Sequence, residues 1–114
     1  MTRTQWRIRL GAEAEKDFAH ILKHTRDNFG DRQVAIYQRT LLEALALLEN
    51  GPDAPGSAAR DEILNGLRTV HVARRGRRGR HFIMCCAADD QVIEVLRILH
   101  DAMDLARHIP PEAE

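Results

Sequence analysis

The chain has 114 residues, of which 44% are hydrophobic and 30% charged, and its formal net charge is zero. This length gives one domain, spanning 1–114, with a core large enough to stand without disulfide or metal staples, and the composition excludes a disordered chain. No apolar run approaches the ~20 residues of a membrane span, and no apolar stretch of signal-peptide length follows Met1 to Trp6, so a cytoplasmic protein is expected. One Trp, one Tyr and three Phe leave the core to Leu, Ile, Val and Ala. The neutral total hides an asymmetry: all but Lys16 and Lys23 of the 17 basic residues are arginine, and six arginines fall between Arg68 and Arg80. The local field therefore matters more than the sum.

Trp6-Arg7-Ile8-Arg9-Leu10 alternates strictly, which predicts a half-exposed strand at or near a sheet edge. Gly11 breaks it. From Ala12 to Phe29, apolar residues at Ala14, Phe18, Ile21, Leu22 and Phe29 follow helical spacing, with Glu13, Glu15 and Asp17 near the positive end of the helix dipole. Gly30 suits the left-handed position that ends this helix, and Asp31 is placed to cap a second. There, Val34, Tyr37, Leu41, Ala44, Leu45 and Leu48 form the most regular amphipathic stripe in the chain. So short a link makes the two helices antiparallel.

Asn50-Gly51-Pro52-Asp53-Ala54-Pro55-Gly56-Ser57 is a dense loop signal, and a helical turn is expected within Ala58 to Asn65. Leu67 to Ala73 reads as a strand. Arg74-Arg75-Gly76-Arg77-Arg78-Gly79-Arg80 then makes a flexible basic turn. Two nearly continuous apolar runs follow, His81 to Ala88 and Gln91 to His100. They are too short and too rich in β-branched residues for helices and lack alternation, so they predict central strands buried on both faces. Ala88-Asp89-Asp90-Gln91 supplies turn chemistry, which makes the pair a hairpin. A short helix is expected from about Asp101 to His108, and the tail, 111–114, should fray.

Cys85 and Cys86 are adjacent on a strand and point to opposite faces, so a disulfide between them would distort the backbone. They read as two reduced core thiols. The element order is β-α-α-β-β-β. It predicts an α+β fold in which an N-terminal strand and an antiparallel αα-hairpin accompany a mostly antiparallel sheet.

This order, with Ala12-Glu13-Ala14-Glu15-Lys16-Asp17-Phe18 opening the first helix, Asn28-Phe29-Gly30 between the helices and Gly66-Leu67-Arg68 entering the middle strand, resembles the ParE branch of the RelE/ParE superfamily of toxins from type II toxin–antitoxin modules. The stretch from Ile93 to His108, which ends Asp104-Leu105-Ala106-Arg107-His108, is similar to that family's final strand and the segment after it. The resemblance covers Trp6 to Pro110. It implies a toxin that inhibits DNA gyrase by protein–protein binding, without a cofactor. It also implies a ParD-like antitoxin, encoded alongside, that neutralises the toxin in a hetero-oligomer and alone carries the contact with operator DNA. The Arg74 to Arg80 turn is longer and more basic than in many relatives.

The candidate contacts with target or antitoxin are Arg68, Arg74, Arg75, Arg77, Arg78, Arg80, Arg97, His100, Asp101, Met103 and Arg107. Arginine forks suit carboxylates and phosphates, and nothing aromatic is interleaved for base stacking. A solvated turn is the plainer account of such a run. Trp6 and Ile8 on a strand edge, with Leu41, Leu45 and Leu48 on the crowded second helix, are candidates for an antitoxin groove. Two further readings stay open. One is a RelE-type, ribosome-dependent endoribonuclease using His100 or His108 as general acid, against which the only tyrosine is Tyr37 and both lysines lie in the first helix. The other is an antitoxin-binding module without toxicity. His20 and His24 have a metal-compatible spacing, but a third ligand could come only from Asp17 or from elsewhere in the chain, a solvent-facing helix accounts for both, and no metal is expected. Asp101 and Asp104 are accounted for as caps.

Overall fold

A computed structural model describes residues 5–110, so the expected fraying of 111–114 lies outside the described residues. Strand β1 (Arg7–Leu10) leads through Gly11 into helices α1 (Ala12–Phe29) and α2 (Asp31–Leu47), which extends as a 3-10 turn over Leu48–Asn50. Strands β2 (Ser57–Ala59), β3 (Arg68–His71), β4 (His81–Ala88) and β5 (Val92–His100) follow, and a 3-10 turn over Leu105–His108 closes the chain. The sheet order is β1-β5-β4-β3-β2. β1 runs parallel to β5 with Ile8 opposite Ile93, and every other pairing is antiparallel. This is the α+β arrangement expected, with β1 at an edge.

The apolar runs of β4 and β5 are long because both of their faces are covered. On one face Ile83, Cys85, Ile93, Val95 and Ile98 meet Ala14, Ile21, Leu41, Ala44, Leu45 and Leu48 of the helices. On the other, Met84, Leu96, Leu99 and Leu67 form a second cluster, covered by Ile63, Leu64, Leu105 and Ile109. A register shift between Met84 and Cys85 leaves Leu96 as the extra residue of β5. That bulge resets the alternation, so Ile93 and Val95 before it and Ile98 after it all face the helices. Cys85 belongs to the helix side and Cys86 packs against the other, and both are free thiols. Burial pushes the Cys85 thiol up to about 12, so it is inert at neutral pH.

Three local expectations are corrected, while the helical turn expected within Ala58 to Asn65 is present. Asp31 does not cap α2; Gly30, at φ 88°, holds the cap position and Asp31 begins the helix, where its charge meets the dipole. Ser57–Ala59 pairs with β3 as a short edge strand although nothing in its side chains favours a strand, because Arg68 reaches across to the Ser57 hydroxyl at 2.7 Å. The turn that follows closes Arg60 to Leu64, with the Leu64 N–H donating to the Arg60 carbonyl at 3.2 Å, and goes no further. The last helix is only the 3-10 turn Leu105–His108, capped by Asp104, whose carboxylate accepts from the Ala106 N–H at 3.2 Å. It does not begin at Asp101, whose N–H donates to the Arg80 carbonyl at 2.7 Å and whose carboxylate accepts from His71 rather than capping a helix.

Candidate functional site

The turn from β3 to β4 is fastened down rather than flexible. Arg77 grips Glu43 of α2 with two parallel bonds of 2.6 and 2.9 Å and reaches the Thr40 hydroxyl at 3.4 Å. Arg74 donates to the Pro55 carbonyl at 2.7 Å. Between them the chain turns through Arg75 at φ 49° and Gly76 at φ 83°, closed by the Arg77 N–H on the Arg74 carbonyl. Gly79 lies against α2. A Cβ there would collide with the Val72 side chain and stand 3.0 Å from the Tyr37 hydroxyl. Arg75 and Arg78 are exposed, and among the described residues neither has a carboxylate partner.

Below this turn sits a polar cluster built from four elements, α2, β3, β4 and β5. The Tyr37 hydroxyl accepts the Arg80 N–H at 3.1 Å and lies 2.6 Å from His81 Nδ1. Burial first, and then the neighbouring His100, pushes the His81 pKa down to about 4, so the ring is neutral at pH 7. Burial also raises the Tyr37 pKa. His100 stacks edge-on against His81 at 5.5 Å and uses its Nδ1 to accept the Ala102 N–H. Asp101 joins β3 to the basic turn: it accepts from His71 Nε2 at 3.0 Å and from Arg80 Nε at 3.1 Å. His71 Nδ1 accepts the Ala73 N–H, which leaves Nε2 to carry the proton toward Asp101. Those two hydrogen bonds, the His71 bond first, hold the Asp101 pKa down to about 2.

The cluster carries a pH prediction. Unfolded, His81 takes a proton near 6.5; folded, it does so only near 4. The unfolded state therefore binds more protons between these values, and stability falls as pH drops from 6.5 to 4, then levels. A shift of that size in an enclosed ring is worth ~3 kcal/mol, and the open side of the site reduces this to about 1–2 kcal/mol by solvent screening. Asp101 acts lower: its contribution is present above its ordinary 3.8 and is lost toward 2. Denaturant unfolding from pH 7 to 4 should show the first decline in the unaltered chain and not in His81→Gln. An equal decline in both would remove His81 as its cause.

Other expected site residues go elsewhere. Arg97 is clamped to Asp17 of α1 by bonds of 2.7 and 2.9 Å, and its third nitrogen donates to the His108 carbonyl at 3.3 Å. The hydrogen bonds to Asp17 raise the Arg97 pKa, so the guanidinium stays charged. Arg68 is mostly buried between Ser57 and Asp53. Met103 and Arg107 are exposed beyond β5. Trp6 and Ile8 are half-buried against the core, and Leu41, Leu45 and Leu48 lie inside it, so α2 presents no groove made of these leucines. His20 and His24 gain no third ligand; among the described residues no group of three or more donors suits a metal.

What sequence reasoning missed is a groove of about 710 Å³ between the end of α1, the first half of α2 and the basic turn. Its apolar surface comes from Phe29, 67% exposed, and Ile36, 45% exposed. Phe29 falls in the apolar stripe of α1 by its spacing. Ile36 was the available signal, a large aliphatic residue off the regular stripe of α2.

The profile of the family described as the ParE toxin of the type II toxin–antitoxin system parDE matches residues 8–105. The chain belongs to the ParE toxin family. A ParE toxin of Escherichia coli is 32% identical over 96 residues, which span 84% of this chain and 85% of that one. Among solved structures, the chromosomal ParDE system from P. aeruginosa superposes with a TM-score of 0.68 at 17% identity, covering 87% of this chain and 98% of the other. The RelBE2 toxin–antitoxin complex from Mycobacterium tuberculosis follows at 0.51 and 20% identity, covering 84% and 98%. These two share the fold. As a ParE toxin, the chain is a component of a type II toxin–antitoxin module, and no helix among its described residues is long and apolar enough to cross a membrane.

Proposed function

We propose that this ParE toxin inhibits DNA gyrase by protein binding in the cytoplasm, is neutralised by a ParD-like antitoxin, and reaches operator DNA only through that antitoxin. The observation that carries this reading is the family match across residues 8–105. The side chains support binding over catalysis. A phosphodiester-cleaving site needs cations and a proton-transfer group free to act on substrate. Here Arg97 is clamped by Asp17, and the His81 ring is hydrogen-bonded to Tyr37 and neutral. Arg75, Arg78, Met103 and Arg107 remain as outward contacts.

The test is a supercoiling assay on purified gyrase, with the toxin alone and then with its antitoxin. Dose-dependent inhibition or trapped cleaved DNA, relieved by the antitoxin, is the expected result. No effect at a large excess of folded protein removes gyrase as the target. Cleavage of ribosome-bound messenger RNA that is lost in His100→Ala would instead identify a RelE-type ribonuclease. Neither effect, with antitoxin binding retained, would leave a non-toxic module.

A further inference from the structure

The groove beneath the basic turn gathers hydrogen-bond donors that the fold itself leaves free. Arg78 is exposed and has no carboxylate partner among the described residues. Arg80 is held to Asp101 through Nε alone, so its two Nη groups keep their protons for another acceptor. His100 accepts the Ala102 N–H on Nδ1, which leaves the proton of the neutral ring on Nε2. These side chains are neighbours: Arg78 and Arg80 flank Gly79, and His100 stands opposite His81 in the register of β4 and β5. No aspartate or glutamate lines the groove.

The basic turn carries no aromatic of its own, and the fold brings one to it. Phe29 lines the groove from the end of α1. From α2 come Gln33, Ile36, Tyr37 and Thr40, which the helical period places on one face. Phe29 and Ile36 are exposed there. The Gln33 amide has no hydrogen-bond partner among the described residues, and it can both donate and accept. A volume of about 710 Å³ lies in the range of pockets that take small molecules. Bare phosphate would satisfy the arginines but leave Phe29 and Ile36 in water. A wholly apolar ligand would cover those two and leave the cations facing it without acceptors. A nucleoside phosphate meets both needs: an aromatic ring to stack, an edge for an amide to read, and several phosphate oxygens for donors that arrive from the turn and from the end of β5.

We propose that this groove binds a nucleoside phosphate, its base stacked on Phe29 and its phosphate held by Arg78, Arg80 and His100. The chemistry is the same whether the ligand arrives as a free nucleotide or as one unit of a single-stranded nucleic acid. Stacking tolerates any base, so preference among bases falls to the Gln33 amide. The phosphate contacts lie at an exposed rim, so affinity falls as salt rises. The site is separate from the choice of gyrase as target and does not depend on it.

The experiment is an NMR titration of the full chain with adenosine monophosphate, adenosine and inorganic phosphate, repeated on Phe29→Ala, Arg78→Glu and, outside the groove, Lys16→Glu. All three positions are exposed, so the variants should fold, and their melting temperatures check this. The monophosphate should bind at least tenfold more tightly than adenosine or phosphate. Arg78→Glu should weaken it at least tenfold while changing adenosine less than twofold. Phe29→Ala should weaken both nucleoside ligands at least threefold and leave phosphate unchanged, and Lys16→Glu should change none of them by more than twofold. A short single-stranded oligoadenylate decides the source. Tighter binding than the monophosphate, weakened by both groove variants, assigns the site to a nucleic-acid chain; equal or weaker binding assigns it to the free nucleotide. No shift with either the monophosphate or the oligonucleotide at millimolar concentration overturns the proposal. Monophosphate binding that Phe29→Ala leaves unchanged also overturns it, since the groove would then be an anion site only. So does a glutamate-rich peptide that binds as tightly as the monophosphate and loses as much in Arg78→Glu. The gyrase assay is decided separately from all of these outcomes.

Discussion

Asp17→Ala should destabilise the toxin by about 3 kcal/mol, more than any exposed charge substitution in the chain. Asp17 and Arg97 are 12% and 19% exposed, so removing the carboxylate strands a guanidinium that solvent scarcely reaches. The loss is not confined to the pair. β1 ends at Leu10 opposite Val95, so beyond that point no strand lies against this edge of β5. The Asp17 carboxylate takes over there, accepting the Ile98 N–H at 2.9 Å. Asp17→Ala therefore leaves a backbone donor unpaired as well as a charge, and each carries its own desolvation cost. For a domain of this length, the melting temperature should fall by roughly 10–15 °C. Lys23→Ala, which breaks the exposed Lys23–Asp27 pair at 3.0 Å, should change stability by less than about 0.5 kcal/mol. Arg97→Met placed in the Asp17→Ala background should recover part of the loss, because the stranded charge is then gone. A loss below about 1 kcal/mol for Asp17→Ala would mean that water screens the pair and that Arg97 is available as a contact after all.

Arg97 also marks the limit of what the chain discloses before it folds. Periodicity is local, so both helices, their boundaries at Gly11 and Gly30, and the edge position of β1 were legible from spacing and from two glycines. The buried central hairpin was legible for the same reason, since a run such as Val92-Ile93-Glu94-Val95-Leu96 has no polar side to offer solvent. Pairing is not local. Arg97 looks like any arginine near a terminus until Asp17, 80 residues earlier, is found within 2.7 Å. The basic turn likewise reads as mobile until Glu43 and Tyr37 are found holding it. Ser57–Ala59 is a strand only because β3 and Arg68 make it one, and Asp101 gives up helix capping for His71 and Arg80. These misses share one cause: a polar side chain with several possible partners chose a distant one.

The leucines of α2 raise the opposite problem, since one apolar stripe can serve a core or a partner. The fold separates the two uses, and Leu41→Ala tests the separation. Leu41 is 0% exposed and packs with Val70, Ile83 and Ile93 on the helix side of the sheet. Truncation removes its transfer free energy and leaves a cavity that rigid strands on one side cannot fill, a cost of about 3 kcal/mol. Leu42, one residue on and half exposed, should lose less than about 0.5 kcal/mol on the same truncation. Urea unfolding of both variants at neutral pH decides this, with the midpoint falling for Leu41→Ala while the slope is unchanged. Folded Leu41→Ala protein, at a temperature well below its melting point, should still bind antitoxin within about threefold of the unaltered chain, because its side chain never reaches the surface. Unchanged stability combined with weakened antitoxin binding would return Leu41, and with it Leu45 and Leu48, to the partner surface, and would mean that α2 swings off the sheet when the antitoxin arrives. The buried contacts on both sides of Leu41 argue against that motion: exposing this one face would take the larger of the two apolar clusters into water.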